Sequence, residues 1–139
     1  LRYCLKITDT GLINLRNIYK LSLKDMKNIT NRGLKYLQNI HNLSLINNNN
    51  ITDLGLLNLQ NVHTLSLIDI RLLTNLGLSF LKNINTLKLI GLIKITDVRL
   101  IWLNNTNIIN LDIFGCEKLT NIVYRYLKNI HNFTFSGFI

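Results

Sequence analysis

Chemistry in this 139-residue chain would have to come from few side chains: three histidines, two cysteines and seven carboxylates. His41 and His63 stand 22 residues apart, and His131 lies three such steps plus two residues further on. Two imidazoles brought together could hold a metal ion, but a closed site takes four ligands and no third is evident beside this pair. The reading for His41 and His63 is therefore of exposed strand-edge residues within a binding surface. Cys4 and Cys116 are the only cysteines, so no CxxC pair exists, and the sequence has no HExxH, GxSxG or phosphate-binding glycine loop. With no such constellation, the expectation is a protein that is not an enzyme, with no catalytic residues, no metal site and no cofactor.

These residues are positioned by a phrase that returns six times. ITDTGL begins at Ile7, ITNRGL at Ile29, ITDLGL at Ile51, LTNLGL at Leu73, ITDVRL at Ile95 and LTNIVY at Leu119, in steps of 22, 22, 22, 22 and 24 residues. A fixed period of this size marks a solenoid, in which no single unit buries enough apolar surface to fold alone and neighbours must stack.

Ahead of each phrase runs a frame of apolar positions: Ile18, Leu21, Leu23, Met26, Ile29, then Ile40, Leu43, Leu45, Asn48, Ile51, and so on. Apolar residues two apart predict short strands with one buried face, centred near residues 20–23, 42–45, 64–67, 86–89, 110–113 and 132–135. Repeated in one direction they make a parallel sheet, with a partial strand near Leu1 at its edge. After each frame comes Thr-Asp or Thr-Asn, read as a helix cap. Leucines at i, i+3 follow (Leu12/Leu15, Leu34/Leu37, Leu56/Leu59, Leu78/Leu81), predicting a helix of roughly two turns. The fold class expected is α/β: a horseshoe-shaped solenoid with an inner parallel sheet and short outer helices. It forms a single domain over residues 1–139, with about six repeats.

The composition adds limits. Proline and alanine are absent while Asn, Ile, Leu and Lys abound, as an AT-rich coding sequence favours in some protists and large DNA viruses. The run Asn47–Asn50 reads as an expanded loop, and the N-x-S/T matches as chance in so Asn-rich a chain. The net charge of +9 raises an alternative function: nucleic-acid or anionic-membrane binding through a basic outer face. No apolar run approaches the ~18 residues that span a bilayer. Leu1 is not an initiator Met and the chain starts mid-repeat, so a fragment of a longer solenoid is expected.

LDIFGCEKLT (Leu111–Thr120), LRYCLKITDTGL (Leu1–Leu12) and the recurring ITDxGLxxL resemble the cysteine-containing subclass of leucine-rich repeats, typified by F-box proteins. The resemblance covers essentially the whole chain. It implies a protein-binding module, the substrate-recognition part of an SCF-type ubiquitin ligase, with ligase subunits reached through upstream sequence. Two departures stand out: the repeats are short for the family, and only Cys4 and Cys116 hold the cysteine position. Met26, Asn48, Ile70, Leu92 and Phe138 hold it elsewhere. Five strand steps of ~4.8 Å would put the two thiols about 24 Å apart, beyond the ~7 Å a disulfide spans. They read as reduced core thiols of an intracellular, cytoplasmic protein, or one of the host cytoplasm if the gene is viral.

The last two repeats depart from the pattern. Gly11, Gly33, Gly55 and Gly77 give way to Arg99 and Val123, and two extra residues fall between Leu103 and Ile108. The final strand exchanges Leu for Phe133 and Phe135. A change of curvature is expected there, with core exposed beyond the final strand unless more chain or a partner covers it.

The surface left for binding is the inner face of the sheet. Outward positions line up Ile46, Ile68, Ile90 and Phe114 as an apolar stripe, beside Ser44, Ser66, Lys88 and Asp112. Such stripes with polar margins mark binding sites. Charges on this face, Lys20, Lys24 and Lys88 against Asp25, Asp69 and Asp112, cancel, so the excess positive charge belongs to loops and the outer face. The partner expected on the concave face is another protein, not a small-molecule substrate.

Overall fold

Alternating leucines become strands because one face of each can be buried while the other stays wet. The computed structural model describes residues 1–4 and 6–137. Its strands are β1 (Lys20–Lys24), β2 (Asn42–Ile46), β3 (Thr64–Ile68), β4 (Thr86–Ile90), β5 (Asn110–Phe114) and β6 (Asn132–Ser136). They form one six-stranded sheet in the order β1-β2-β3-β4-β5-β6, every neighbouring pair parallel. All six expected strands are present. The register follows the repeat: Leu21 faces Leu43, Leu43 faces Leu65, Leu65 faces Leu87, Leu87 faces Leu111, and Leu111 faces Phe133. The expected partial strand near Leu1 is a single parallel bridge from Arg2 to Lys24.

Short helices complete the α/β arrangement: α1 (Asn31–Leu34), α2 (Asp53–Leu56), α3 (Asn75–Leu78) and α4 (Val123–Tyr126), with 3-10 stretches at Asp9–Leu15, Lys35–Leu37 and Asp97–Asn105. The expected two-turn α-helices are thus shorter and partly 3-10. A 22-residue unit leaves few residues for the return leg, and 3-10 winding rises about 2.0 Å per residue against about 1.5 Å for an α-helix. One continuous core lies between sheet and helices, built in the units of β1, β3 and β4 from both strand leucines, the residue at the cysteine position and the helix leucines, with buried Asn48 at that position after β2 and Leu111, Ile113 and Cys116 continuing the core at β5.

Each of the first five strands is followed by a residue with positive φ: Asp25 (55°), Asn47 (53°), Asp69 (53°), Gly91 (61°) and Gly115 (62°). Asp, Asn and Gly are the residues that enter this left-handed region at least cost. At Gly91 a second constraint acts, since a Cβ there would sit 2.1 Å from Asp69 Oδ1.

The Thr-Asx pairs do something other than simple capping. The Asp9 carboxylate accepts from the Thr30 N–H (2.7 Å) and hydroxyl (2.7 Å), one unit along. Asp53 does the same for Thr74, and Asp97 for Thr120. Asn31 and Asn75 also accept from the next threonine's N–H, at 2.9 Å each, but bring an amide N–H to the threonine instead of a second oxygen: Asn31 donates to the Thr52 hydroxyl (2.8 Å), and Asn75 to the Thr96 carbonyl (2.7 Å) with the hydroxyl more distant at 3.4 Å. The hydroxyls answer accordingly. Thr30, Thr74 and Thr120 give their protons to carboxylates and accept from the N–H of Arg32, Leu76 and Ile122. Thr52 and Thr96, beside amides, make no side-chain cap. Asp9, Asp53 and Asp97, expected to be caps of their own helices, are links between units. At three of these links the unit's glycine sits against the Asx side chain, where a Cβ at Gly33, Gly55 or Gly77 would meet the preceding Asx Oδ1 at 2.4, 2.6 or 2.4 Å; the Asn75–Thr96 and Asp97–Thr120 links form with Arg99 and Val123 at that position.

The run Asn47–Asn50 is not an expanded loop. From strand end to the next Ile it has the length found at Lys24–Ile29, and all four side chains are bonded. Asn47 donates to Asp25 Oδ1 (2.6 Å), Asn49 to Asn47 Oδ1 (2.8 Å) and Asn50 to the Lys27 carbonyl (2.6 Å). Asn48 is fully buried, donating to the Leu23 carbonyl (2.7 Å) and accepting from the Met26 N–H (2.9 Å). A polar group at that depth is tolerable only with such partners.

Candidate functional site

Strand alternation leaves three rows open on the face of the sheet away from the helices. The row nearest the strand ends runs Lys24, Ile46, Ile68, Ile90, Phe114, Ser136 in unbroken register. The sequence-predicted stripe is therefore one line of side chains, each a single strand apart. Ile46, Ile68 and Ile90 are half-buried by their neighbours, while Phe114 is 57% exposed. Next to it runs Ser22, Ser44, Ser66, Lys88, Asp112, Thr134. Ser44 and Ser66 are half-buried, whereas Lys88 and Asp112 are exposed register partners. The Thr134 hydroxyl donates to Asp112 Oδ1. The result is an apolar ridge beside a shallow floor of hydroxyls, closed toward β5 by a charged pair.

The far margin carries the histidines. His41 and His63 stack with centroids 5.3 Å apart and planes 10° from parallel, and Tyr19 stacks on His41 at 4.8 Å. All three are exposed. Imidazole lone pairs lie in the ring plane, so face-to-face rings aim their nitrogens side by side rather than at a common ion. Asn85 and Ile109 occupy the two rungs between His63 and His131. Among the described residues no group of three or more His, Cys, Asp or Glu is placed to hold a metal. The histidines thus form a ring-lined wall, a feature periodicity could hint at but not orient.

Asp25 and Asp69, counted with the inner face from sequence, sit in the turns beyond it. Asp25 Oδ2 is buried without a hydrogen-bond partner. Of the thiols, Cys116 is fully buried, and Cys4, expected in the core, is only half-buried at the sheet edge. Both are unpaired. Burial pushes the Cys116 thiol above its ordinary value, partly opposed by the N–H groups of Leu92 and Gly91. Phe138, assigned to the same frame position, lies outside the described residues.

On the helical side, a cleft between α3 and the Asp97–Asn105 stretch is lined by Leu78, Lys82, Trp102 and Thr106. Four aromatic side chains recur along this side, Tyr36 and Trp102 exposed and Phe80 and Tyr126 half-buried. Beside β6, Tyr124 packs edge-on against Phe133 and Phe135 (5.4 and 5.7 Å), so the expected exposed core is partly covered from within. Among the described residues no helix is long and apolar enough to cross a membrane.

Fold and face together define an α/β protein with a single parallel sheet that carries an ordered, partly apolar open side. No family model matches the chain, and no curated protein matches its sequence.

Proposed function

We propose that the chain is a leucine-rich-repeat solenoid that acts as a protein–protein recognition module, binding another protein on the open face of its sheet. The observation that carries this reading is the register-aligned row Ile46, Ile68, Ile90, Phe114. The core is already supplied by the two leucine columns and the helices, so folding does not require four apolar side chains on the opposite side. Ser44, Ser66, Lys88 and Asp112 would give the polar margin, with His41 and His63 at its edge. Within this class, the sequence resemblance favours the substrate-recognition part of an SCF-type ubiquitin ligase, a non-enzymatic role inside the cell. An unpaired, buried Cys116 suits a reducing compartment.

The test is Phe114→Ala and Ile68→Asp, each scored for thermal stability and for capture of partners from cell extract. Phe114→Ala should weaken capture roughly thirtyfold, the ~2 kcal/mol typical of a central aromatic anchor. Its stability should move by less than about 0.5 kcal/mol, because an outward side chain gives up few core contacts. Unchanged capture by both variants would move the binding surface elsewhere. A steep loss of binding with added salt would favour phosphate contacts over this face.

A further inference from the structure

We infer that the open face receives an amphipathic α-helix laid across the strands along the Ile46–Phe114 row, with its C-terminal end over β1. This inference rests on the docking role proposed above.

Spacing is the first argument. The four apolar side chains stand one strand apart, so three steps of ~4.8 Å span about 14 Å. A helix presents i, i+3, i+7 and i+10 on one side over about 15 Å, at ~1.5 Å per residue. An extended peptide presents i, i+2, i+4 and i+6 over about 20 Å, at ~3.3 Å per residue. The helix stays in step with the row, whereas the extended chain overshoots by more than one rung.

Backbone hydrogen bonding is the second. Strands β2 to β5 are paired on both sides, so the face offers side chains and no free ladder. An extended segment crossing an Ile and Phe ridge would bury N–H and C=O groups without partners, which is costly. A helix brings its own bonds. The small side chains of Ser22, Ser44 and Ser66 beside the ridge leave room for its width of about 10 Å.

Charge sets the direction. The open positions of β1 are Lys20, Ser22 and Lys24, two cations. Asp25 lies in the turn beyond and is engaged with Asn47. At the other end Asp112 is exposed on β5, with Lys88 beside it. Cations favour a helix C-terminus and carboxylates its N-terminus.

The experiment selects binders to the intact chain from two display libraries, one randomised on one face of a rigid helical bundle, the other on an extended strand scaffold. Binders should come from the helical library, with apolar residues recurring at i, i+3, i+7 and i+10. Ile68→Asp, checked for an unchanged melting midpoint, should weaken them roughly thirtyfold. Lys24→Glu should weaken those with an acidic C-terminal turn by about tenfold, and the outer-face change Arg125→Ala by less than about twofold. Strand-scaffold binders alone that lose affinity with Ile68→Asp would keep the face and overturn the helix. Binders from either library that ignore both Ile68→Asp and Phe114→Ala would overturn the docking role as well. An empty outcome from the helical library overturns the helix.

Discussion

Between Ile29 and Ile95 one 22-residue unit repeats without change of length, while from Ile95 to Leu119 the step is 24. The sheet is the same in both regions: Leu65 faces Leu87 and Leu87 faces Leu111 without a break. The added residues are taken up on the other side. There the nine-residue 3-10 stretch Asp97–Asn105 replaces the four-residue helices, and Val123 stands at the glycine position. Asn104 donates to the Tyr126 carbonyl, and its own Oδ1 is buried without a partner. A two-residue slip of a strand held by ladders on both sides would keep its leucines facing inward but set them out of line with the neighbouring columns and leave two residues at its end without a ladder partner. A one-turn helix has little to lose. The sheet therefore sets the architecture, and the outer layer absorbs variation.

That contrast can be broken most forcefully in the sheet. Leu89→Ala removes a fully buried side chain from β4 and should cost about 2–5 kcal/mol in urea unfolding. Phe133→Ala, at a half-buried position in the irregular region, should cost less than Leu89→Ala despite its larger ring. Equal losses would mean both regions pack alike.

Smaller effects probe the links between units. Gly77→Ala drives a Cβ to 2.4 Å from Asp53 Oδ1 and should destabilise by about 1–3 kcal/mol. Gly11→Ala meets only Ile7 Cγ2 at 3.5 Å and should be neutral or stabilise by up to about 1 kcal/mol. Asp53→Asn keeps an acceptor for the Thr74 N–H but turns the hydroxyl around and removes the cap at Leu76, for a loss of about 1 kcal/mol or less. Asn31→Asp should add the missing cap at Thr52 by the same logic, so the two variants should shift the melting midpoint in opposite senses.

The smallest effect is a pH dependence. Burial raises the Cys116 thiol in the folded chain, so the folded form keeps its proton where the unfolded form has lost it. Its contribution to stability is full below the ordinary thiol value and declines as pH rises beyond about 9. Comparing Cys116→Ala with the parent chain through that range isolates the contribution, and parallel curves would contradict it. In the folded state Cys116 should also react slowly with thiol reagents.

Most of the sheet could be read in advance, because alternation and period fix which side of each strand is buried. The row of Ile46, Ile68, Ile90 and Phe114 followed from the same counting. The helices were overestimated, since leucines at i, i+3 fit 3-10 winding as well as α. The Asp–Thr and Asn–Thr links could not be read within one unit: a capping pair looks the same whether its carboxylate serves its own helix or the next. The asparagines of Asn47–Asn50 were hidden by their abundance, and only the unchanged spacing to Ile51 hinted that they were structural. The Tyr19–His41–His63 stack needed side-chain rotamers that no periodicity specifies.

The alternation of Asp9, Asn31, Asp53, Asn75 and Asp97 along the links has an electrostatic consequence. Were every link a carboxylate, the column would be a line charge with one negative charge per rung of ~4.8 Å. Neighbours would repel well inside the ~10 Å screening length of 0.1 M salt. With an amide between each pair, successive charges stand two rungs apart, close to that length, and the repulsion between them is several-fold weaker. The spine gains the strong acceptor at every other unit, where it also frees a threonine to cap, and keeps the stack free of a self-repelling seam.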